Sequence, residues 1–140
     1  MNNQKAKPII YIEDDEDDRF LFREVFDTLS FPNERIFFND GIYALEYLMQ
    51  TSEQPLVIIC DINMPLMSGI QLRHEIIKRK NLRICQTPFV FYTTSNGFDS
   101  VELAFALNTQ GYFQKASSFE KAKADIKLIV DYWAGSISPH

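Results

Sequence analysis

Residues 56–65 read LVIICDINMP, in which five apolar residues stop abruptly at Asp61. A short apolar run that is rich in β-branched residues and ends at a turn signal predicts a buried β-strand. Similar runs occur at residues 9–12, 36–38, 89–93 and 112–113, and five segments of helical periodicity alternate with them. This alternation predicts an α/β fold, a doubly wound parallel sheet of five strands with five helices.

The helices are predicted from the spacing of their apolar residues. Positions 22, 25, 26 and 29 are apolar and share one helical face, and residues 119–133 carry a longer stripe of the same kind. Weaker periodicity predicts helices around residues 41–49, 69–79 and 100–108. The first helix would begin within the acidic run at residues 13–18, where Asp17 and Asp18 are candidate N-caps.

Length and composition set the class of protein. The chain has 140 residues, of which 46% are hydrophobic and 14% aromatic. These values predict one domain over residues 1–140, whose apolar core segments run from about residue 8 to about residue 133. Because the apolar runs are too short to span a bilayer and the N-terminus is polar, we expect a cytoplasmic protein without a membrane partner.

The charged and metal-binding residues exclude two further classes of protein. The net charge is −5, and an unbroken acidic run, EDDEDD, occupies residues 13–18. Without a stripe of arginine and lysine, such a chain matches the phosphate backbone poorly, so we expect no direct binding to nucleic acid. Two cysteines and two histidines lack the paired spacing of a zinc site, and a disulfide framework is not indicated.

Chemically reactive side chains follow the predicted strands. Glu13 and Asp14 follow the first strand, Asp61 the third and Lys115 the fifth, while Thr93 ends the fourth. In an open parallel sheet these positions line the ligand crevice. Carboxylates that meet there repel one another unless a cation intervenes, and oxygen ligands of this kind suit Mg²⁺. Asp14 and Asp61 are the candidate direct ligands.

Each of these residues also has a simpler interpretation. The acidic run is compatible with a solvated helix start that interacts with the helix dipole. Asp61 could cap a turn, Thr93 could be an ordinary β-former, and Lys115 could be a surface lysine. In the functional interpretation, Asp61 is a carboxylate nucleophile that forms an aspartyl phosphate, and Lys115 pairs with that phosphate.

Four separated motifs occur along the chain in the order that is typical of one protein family. They are IIYIEDDEDDR at residues 9–19, VIICDINMPLMSG at residues 57–69, FVFYTTSN at residues 89–96 and GYFQKAS at residues 111–117. Together they resemble the receiver domain of two-component response regulators over nearly the whole chain. The segment NLRICQTPFVFYTTSN and the long final helix are similar to a narrower group, the stand-alone phytochrome-associated response regulators.

The resemblance implies a fold and a set of roles for the acidic site. The fold would be flavodoxin-like (CheY-like), with strand order 2-1-3-4-5. Asp61 would be the phosphoacceptor, Glu13 and Asp14 the metal-binding acids, and Asn63 a metal ligand through its backbone carbonyl. Mg²⁺ would be the cofactor, and Lys115 would pair with the phosphoryl group.

The resemblance also implies a conformational switch. Thr93 would be the switch hydroxyl and Tyr112 the switch aromatic, so that phosphorylation shifts the population between two packings. Asn63 and Ser95 occupy the two variable positions that influence how long the phosphoryl group survives in this family.

Partners and alternatives follow from the same resemblance. The phosphodonor would be a sensor histidine kinase or a histidine phosphotransferase, the output a downstream protein target, and the exposed fourth and fifth helices could support a homodimer. Such a protein is not a turnover enzyme.

The alternative function is a magnesium-dependent phosphohydrolase with an aspartate nucleophile. Such enzymes have a second aspartate at the position where this chain has Asn63. A third possibility is a flavodoxin-like cofactor binder, but the sequence lacks a glycine-rich loop that could bind the phosphate of a cofactor.

One residue departs from the family pattern. Receiver domains usually place a proline after the lysine, often through a cis bond, whereas this chain has Ala116. A cis bond before a residue other than proline costs about 2.5–4 kcal/mol. The sequence therefore leaves two options for the Lys115–Ala116 peptide, a trans bond with a rerouted loop or a strained cis bond.

Overall fold

A computed structural model of the protein describes residues 6–94 and 97–136. Five strands alternate with five helices along the chain. The strands are β1 (Ile9–Ile12), β2 (Arg35–Phe38), β3 (Val57–Cys60), β4 (Phe89–Thr93) and β5 (Gly111–Gln114). The helices are α1 (Glu16–Leu29), α2 (Gly41–Gln50), α3 (Gly69–Ile77), α4 (Phe98–Ala106) and α5 (Phe119–Ala134), and a short 3-10 helix, Arg83–Gln86, precedes β4.

The strands form one parallel sheet in the order β2-β1-β3-β4-β5. The predicted strand order and fold class are therefore confirmed. In this order the direction in which strands are added reverses between β1 and β3. The ligand crevice of an open α/β sheet lies at such a reversal, outside the carboxyl ends of the strands. Ile12 pairs with Cys60 at the carboxyl ends of these two strands, which places the residues after them side by side.

Each face of the sheet has its own hydrophobic core. Alternate strand residues such as Ile10, Ile58 and Phe91 pack with α2, α3 and α4. The other set, which includes Tyr11 and Tyr92, packs with α1 and α5. Strands β1, β3 and β4 are buried on both faces, which explains why they read as continuous apolar runs rather than as alternating ones.

The helix bounds agree with the sequence to within two residues, and the start of α1 differs in its cap. Asp15, rather than Asp17 or Asp18, is the N-cap, and its side chain accepts a hydrogen bond from the Asp17 N–H. The cap expected at Asp17 or Asp18 was therefore wrong. Any residue of a continuous acidic run can serve as a cap, and the end of β1 decides which one meets the helix start.

Candidate functional site

Three carboxylates meet above the carboxyl ends of β1 and β3. Glu13 and Asp14 follow β1, Asp61 follows β3, and one oxygen of each lies within 4.8 Å of the others. The sheet itself sets this arrangement, because the Asp61 N–H donates to the carbonyl of Ile12 at 3.0 Å and the Glu13 N–H donates to the carbonyl of Phe38 at 3.0 Å. The sequence prediction that these acids lie together is confirmed by this geometry.

Asp61 is held in a narrow recess. Its side chain is 7% exposed, and its Oδ1 accepts a hydrogen bond from the Ile62 N–H at 2.7 Å. Gly69, the first residue of α3, lies so close that a Cβ built on it would come 2.1 Å from the Asp61 carbonyl oxygen. The Gly69 N–H also donates to the carbonyl of Ile62 at 2.8 Å. The glycine that ends the motif at residues 57–69 thus allows the turn behind Asp61 to close.

Lys115 lies among carboxylates from three elements. Its Nζ is 2.5 Å from Glu13 Oε1, 2.6 Å from Asp18 Oδ2 and 3.4 Å from Asp61 Oδ2. Burial lowers the pKa of Lys115, but the bonds to Asp18 and Glu13 outweigh burial and leave the pKa above its ordinary value. The lysine is therefore a charged group at the site rather than a solvated surface lysine.

Asp18 is the residue of this cluster that sequence reasoning missed. It lies in the first turn of α1 and was interpreted there as a helix-start acid. The helix turns Asp18 back over the sheet edge, where it meets Lys115, 97 residues later in the chain. Nothing in the sequence separates Asp18 from its acidic neighbours, because the distinction depends on the direction in which α1 leaves β1.

Glu13 is the most buried acid of the site, with 0% of its surface exposed. Burial raises the pKa of Glu13 to about 8, and the charge of Asp61 acts in the same direction while Lys115 opposes both. Its two oxygens accept from the Tyr11 hydroxyl at 3.4 Å and from the Asp15 N–H at 3.2 Å. Two adjacent buried carboxylates with one lysine are short of positive charge, and a divalent cation fits that deficit.

The other predicted metal ligands, Asp14 and Asn63, are exposed. Asp14 is exposed, with its carboxylate within reach of those of Glu13 and Asp61. Asn63 is exposed, two residues after Asp61, and its role as a carbonyl ligand stays a prediction. Ser95, predicted to influence phosphoryl lifetime, lies outside the described residues.

The two predicted switch residues share one face of the sheet. Thr93 ends β4 with none of its surface exposed, and the Lys115 N–H donates to its carbonyl at 2.8 Å. Tyr112 on β5 is half-buried opposite Phe91, with ring centroids 6.1 Å apart. Both lie on the side that packs with α4, so their positions are compatible with the predicted switch, which stays a prediction.

The loop after Lys115 resolves the question of the missing proline. The described peptide bonds include no cis bond, so the Lys115–Ala116 peptide is trans. The Ala116 N–H, which a proline would lack, donates to the hydroxyl of Tyr92 at 3.3 Å. Of the two options that the sequence left open, the structure has the trans bond.

Comparison with known proteins shows that this chain is similar to response regulators over most of its length. The sequence profile of the response regulator receiver domain matches residues 9–127. The response regulator Rcp1 of Synechocystis sp. is 28% identical over 137 residues, which cover 94% of this chain and 92% of that protein. The probable methanogenesis regulatory protein FilR2 of Methanothrix harundinacea is 28% identical over 131 residues, covering 91% of this chain and 83% of that protein.

Solved structures show the same likeness over nearly the whole chain. The phosphorylated cyanobacterial phytochrome response regulator RcpA superposes with a TM-score of 0.84 at 25% identity, covering 96% of this chain and 100% of that one. The Mn²⁺-bound form of Rcp1 superposes with a TM-score of 0.83 at 28% identity and the same coverage. The chain belongs to the response regulator receiver domain family, the CheY-like domain of two-component signalling.

Proposed function

We propose that the chain accepts a phosphoryl group on Asp61 and signals through the resulting change in packing. The observation that carries this proposal is the meeting of Asp61 with Glu13, Asp14 and Lys115, drawn from three parts of the chain. Receiver domains are generally phosphoacceptors rather than turnover enzymes, and the phosphorylated form of RcpA supports the same role here.

In the proposed reaction an oxygen of Asp61 attacks the phosphorus of a phosphohistidine. The new O–P bond forms as the N–P bond breaks, and the imidazole nitrogen of the donor keeps the bonding electron pair. The Ile62 N–H holds Asp61 Oδ1, so the carboxylate keeps one orientation while its Oδ2 faces Lys115. Lys115 Nζ then gives up part of its contact with Asp18 and Glu13, and it contacts the phosphoryl oxygens instead.

We propose Mg²⁺ as the cofactor, held by Asp14, Asp61 and Glu13 with the carbonyl of Asn63. When bound, the ion would neutralise charge on the transferring phosphoryl group. The Mn²⁺-bound form of Rcp1, a protein similar to this chain, supports the binding of a divalent ion. The raised pKa of Glu13 implies that the site binds a cation in exchange for a proton below about pH 8.

The proposed output is a population shift at the α4–β5–α5 side of the domain. Thr93 would turn toward the phosphoryl oxygens, and Tyr112 would move into the space that it leaves. Large apolar side chains stay exposed on these helices, at Leu103 and Phe105 on α4 and at Tyr132 on α5. We propose that a downstream protein target docks there, and a homodimer would use the same kind of surface.

The proposed phosphodonor is a sensor histidine kinase or a histidine phosphotransferase. We also propose that residues 1–140 act as one receiver domain. In the described part of the chain, no helix is long and apolar enough to cross a membrane. We propose a cytoplasmic location. We also propose no direct nucleic-acid partner, because the net charge of −5 is a poor match to a phosphate backbone.

The test is intact-mass analysis after incubation with Mg²⁺ and acetyl phosphate. We expect one added phosphoryl group in the wild-type chain, none in Asp61→Asn, and none when EDTA removes the metal. A wild-type chain that gains no mass, or an Asp61→Asn variant that gains it equally, would contradict the proposal. Steady release of phosphate from a phosphate ester would favour the phosphohydrolase alternative instead.

A further inference from the structure

Two hydrogen bonds from backbone N–H groups to β4 fix the chain around Lys115, where β5 leads into the loop before α5. The N–H of Lys115 donates to the carbonyl of Thr93 at 2.8 Å, and the N–H of Ala116 donates to the hydroxyl of Tyr92 at 3.3 Å. These two N–H groups belong to the peptide planes on either side of the Lys115 Cα. Consecutive residues of β4 therefore fix both planes, and with them the direction in which the lysine side chain leaves the backbone.

Tyr92 is itself rigidly placed. Its side chain is 4% exposed and lies in the core between the sheet and the α1 and α5 helices. Its ring meets Phe22 edge to face, with centroids 6.2 Å apart, and Phe22 stacks on Tyr11 at 3.6 Å. Because both rings are fixed by packing, the tyrosine hydroxyl is a fixed acceptor rather than a mobile one.

The hydrogen bond to Tyr92 depends on the N–H of residue 116, which a proline at that position would lack. A proline after the lysine has no N–H and needs no acceptor, whereas an alanine brings a partly buried donor that is costly to leave unpaired. Tyr92 supplies the acceptor from the neighbouring strand. The hydroxyl thus substitutes for the conformational restraint that a proline ring would give to this loop.

We propose that Tyr92 is a positioning residue for Lys115, acting through its hydrogen bond to the Ala116 N–H. The proposal rests on the proposed phosphoacceptor function of Asp61. Tyr92 touches neither Asp61 nor the phosphoryl group in this scheme. Its effect is to keep Lys115 Nζ near Asp61 Oδ2, from which it is 3.4 Å away.

The first experiment compares Tyr92→Phe with the wild-type chain in phosphorylation by acetyl phosphate at saturating Mg²⁺. Phenylalanine retains the ring and its packing and removes only the acceptor oxygen. We expect the rate to fall about fivefold, the factor that corresponds to one hydrogen bond of ordinary net strength. Tyr43→Phe, at an exposed tyrosine of α2, is the matched control and should leave the rate unchanged.

The second experiment asks whether Tyr92 acts through Lys115. In a Lys115→Ala background, Tyr92→Phe should have no further effect on the phosphorylation rate, because there is no lysine left to position. Losses that multiply in the double variant would overturn the proposal, since they would mean that Tyr92 supports the site by another route.

Hydrogen exchange gives a readout that is independent of phosphorylation. The Ala116 amide should exchange at least about tenfold more slowly in the wild-type chain than in Tyr92→Phe, and equal exchange would overturn the proposal. If the wild-type chain accepts no phosphoryl group, the proposed function fails. If it is phosphorylated normally and Tyr92→Phe is phosphorylated at the same rate, only the positioning role fails.

Discussion

Replacing Glu13 with glutamine should make the metal-free protein more stable at neutral and alkaline pH. Glu13 is fully buried, and burial raises its pKa from an ordinary value of 4.5 to about 8, with Asp61 acting in the same direction. The folded protein therefore retains a proton that the unfolded chain releases. Glutamine has nearly the same shape and hydrogen-bonding groups but carries no charge to bury.

The sign and size of the effect follow from that pKa. Below about pH 4.5 Glu13 is protonated in both states, and its ionisation costs nothing. Between about pH 4.5 and about pH 8 the free energy of unfolding of the wild-type chain falls as pH rises, relative to the variant. The difference reaches about 3 kcal/mol at neutral pH and has an upper limit of about 5 kcal/mol above pH 8.

Urea unfolding, followed by tyrosine and tryptophan fluorescence in EDTA from about pH 5 to about pH 8.5, measures this difference. Glu24→Gln, at an exposed position of α1, is the control and should track the wild-type chain at every pH. Saturating Mg²⁺ should stabilise the wild-type chain more at about pH 8 than at about pH 5, and should stabilise Glu13→Gln much less. The reasoning would be refuted if the free energies of unfolding of the wild-type and Glu13→Gln chains changed by the same amount with pH.

Three further substitutions test other parts of the structure. Lys115→Met removes a positive charge 3.4 Å from Asp61, so Mg²⁺ affinity measured by calorimetry should rise about tenfold at pH 8, while the phosphorylation rate falls about 100-fold. Arg73→Met removes two hydrogen bonds to carbonyls at the end of α4 and should lower the free energy of urea unfolding by about 1–2 kcal/mol. Gly69→Ala places a Cβ against the Asp61 carbonyl oxygen and should lower the same quantity by about 3 kcal/mol, with slower phosphorylation.

The sequence alone predicted the main features of the acidic site. Strand-end positions in a parallel sheet meet at one edge, so the identity of the residues after each apolar run was enough to place Asp61 with Glu13, Asp14 and Lys115. The reason is geometric. The strands of a parallel sheet all end at the same edge, and the strand order that the resemblance implied brings the ends of β1 and β3 side by side.

Residues that reach the site from helices and from beneath the sheet were not predictable in this way. Asp18 was indistinguishable from five acidic neighbours, and Tyr92 looked like one more apolar strand residue. Arg73 is a similar case, since its helix pattern gives no sign that it is buried and donates to the carbonyls of Leu107 and Asn108. Each of these contacts joins segments more than 20 residues apart in the chain.

The sequence by itself determined the fold class and the acids that follow β1 and β3, because apolar periodicity and strand-end chemistry are local patterns. The order of four separate motifs carried the resemblance to the family. Only the tertiary structure decided that Asp18 joins Glu13 in pairing with Lys115, that Asp15 caps α1, and that the Lys115–Ala116 peptide is trans with Tyr92 as its acceptor. The physical reason is that a side-chain hydrogen bond depends on distances of a few tenths of an ångström between elements, which packing sets.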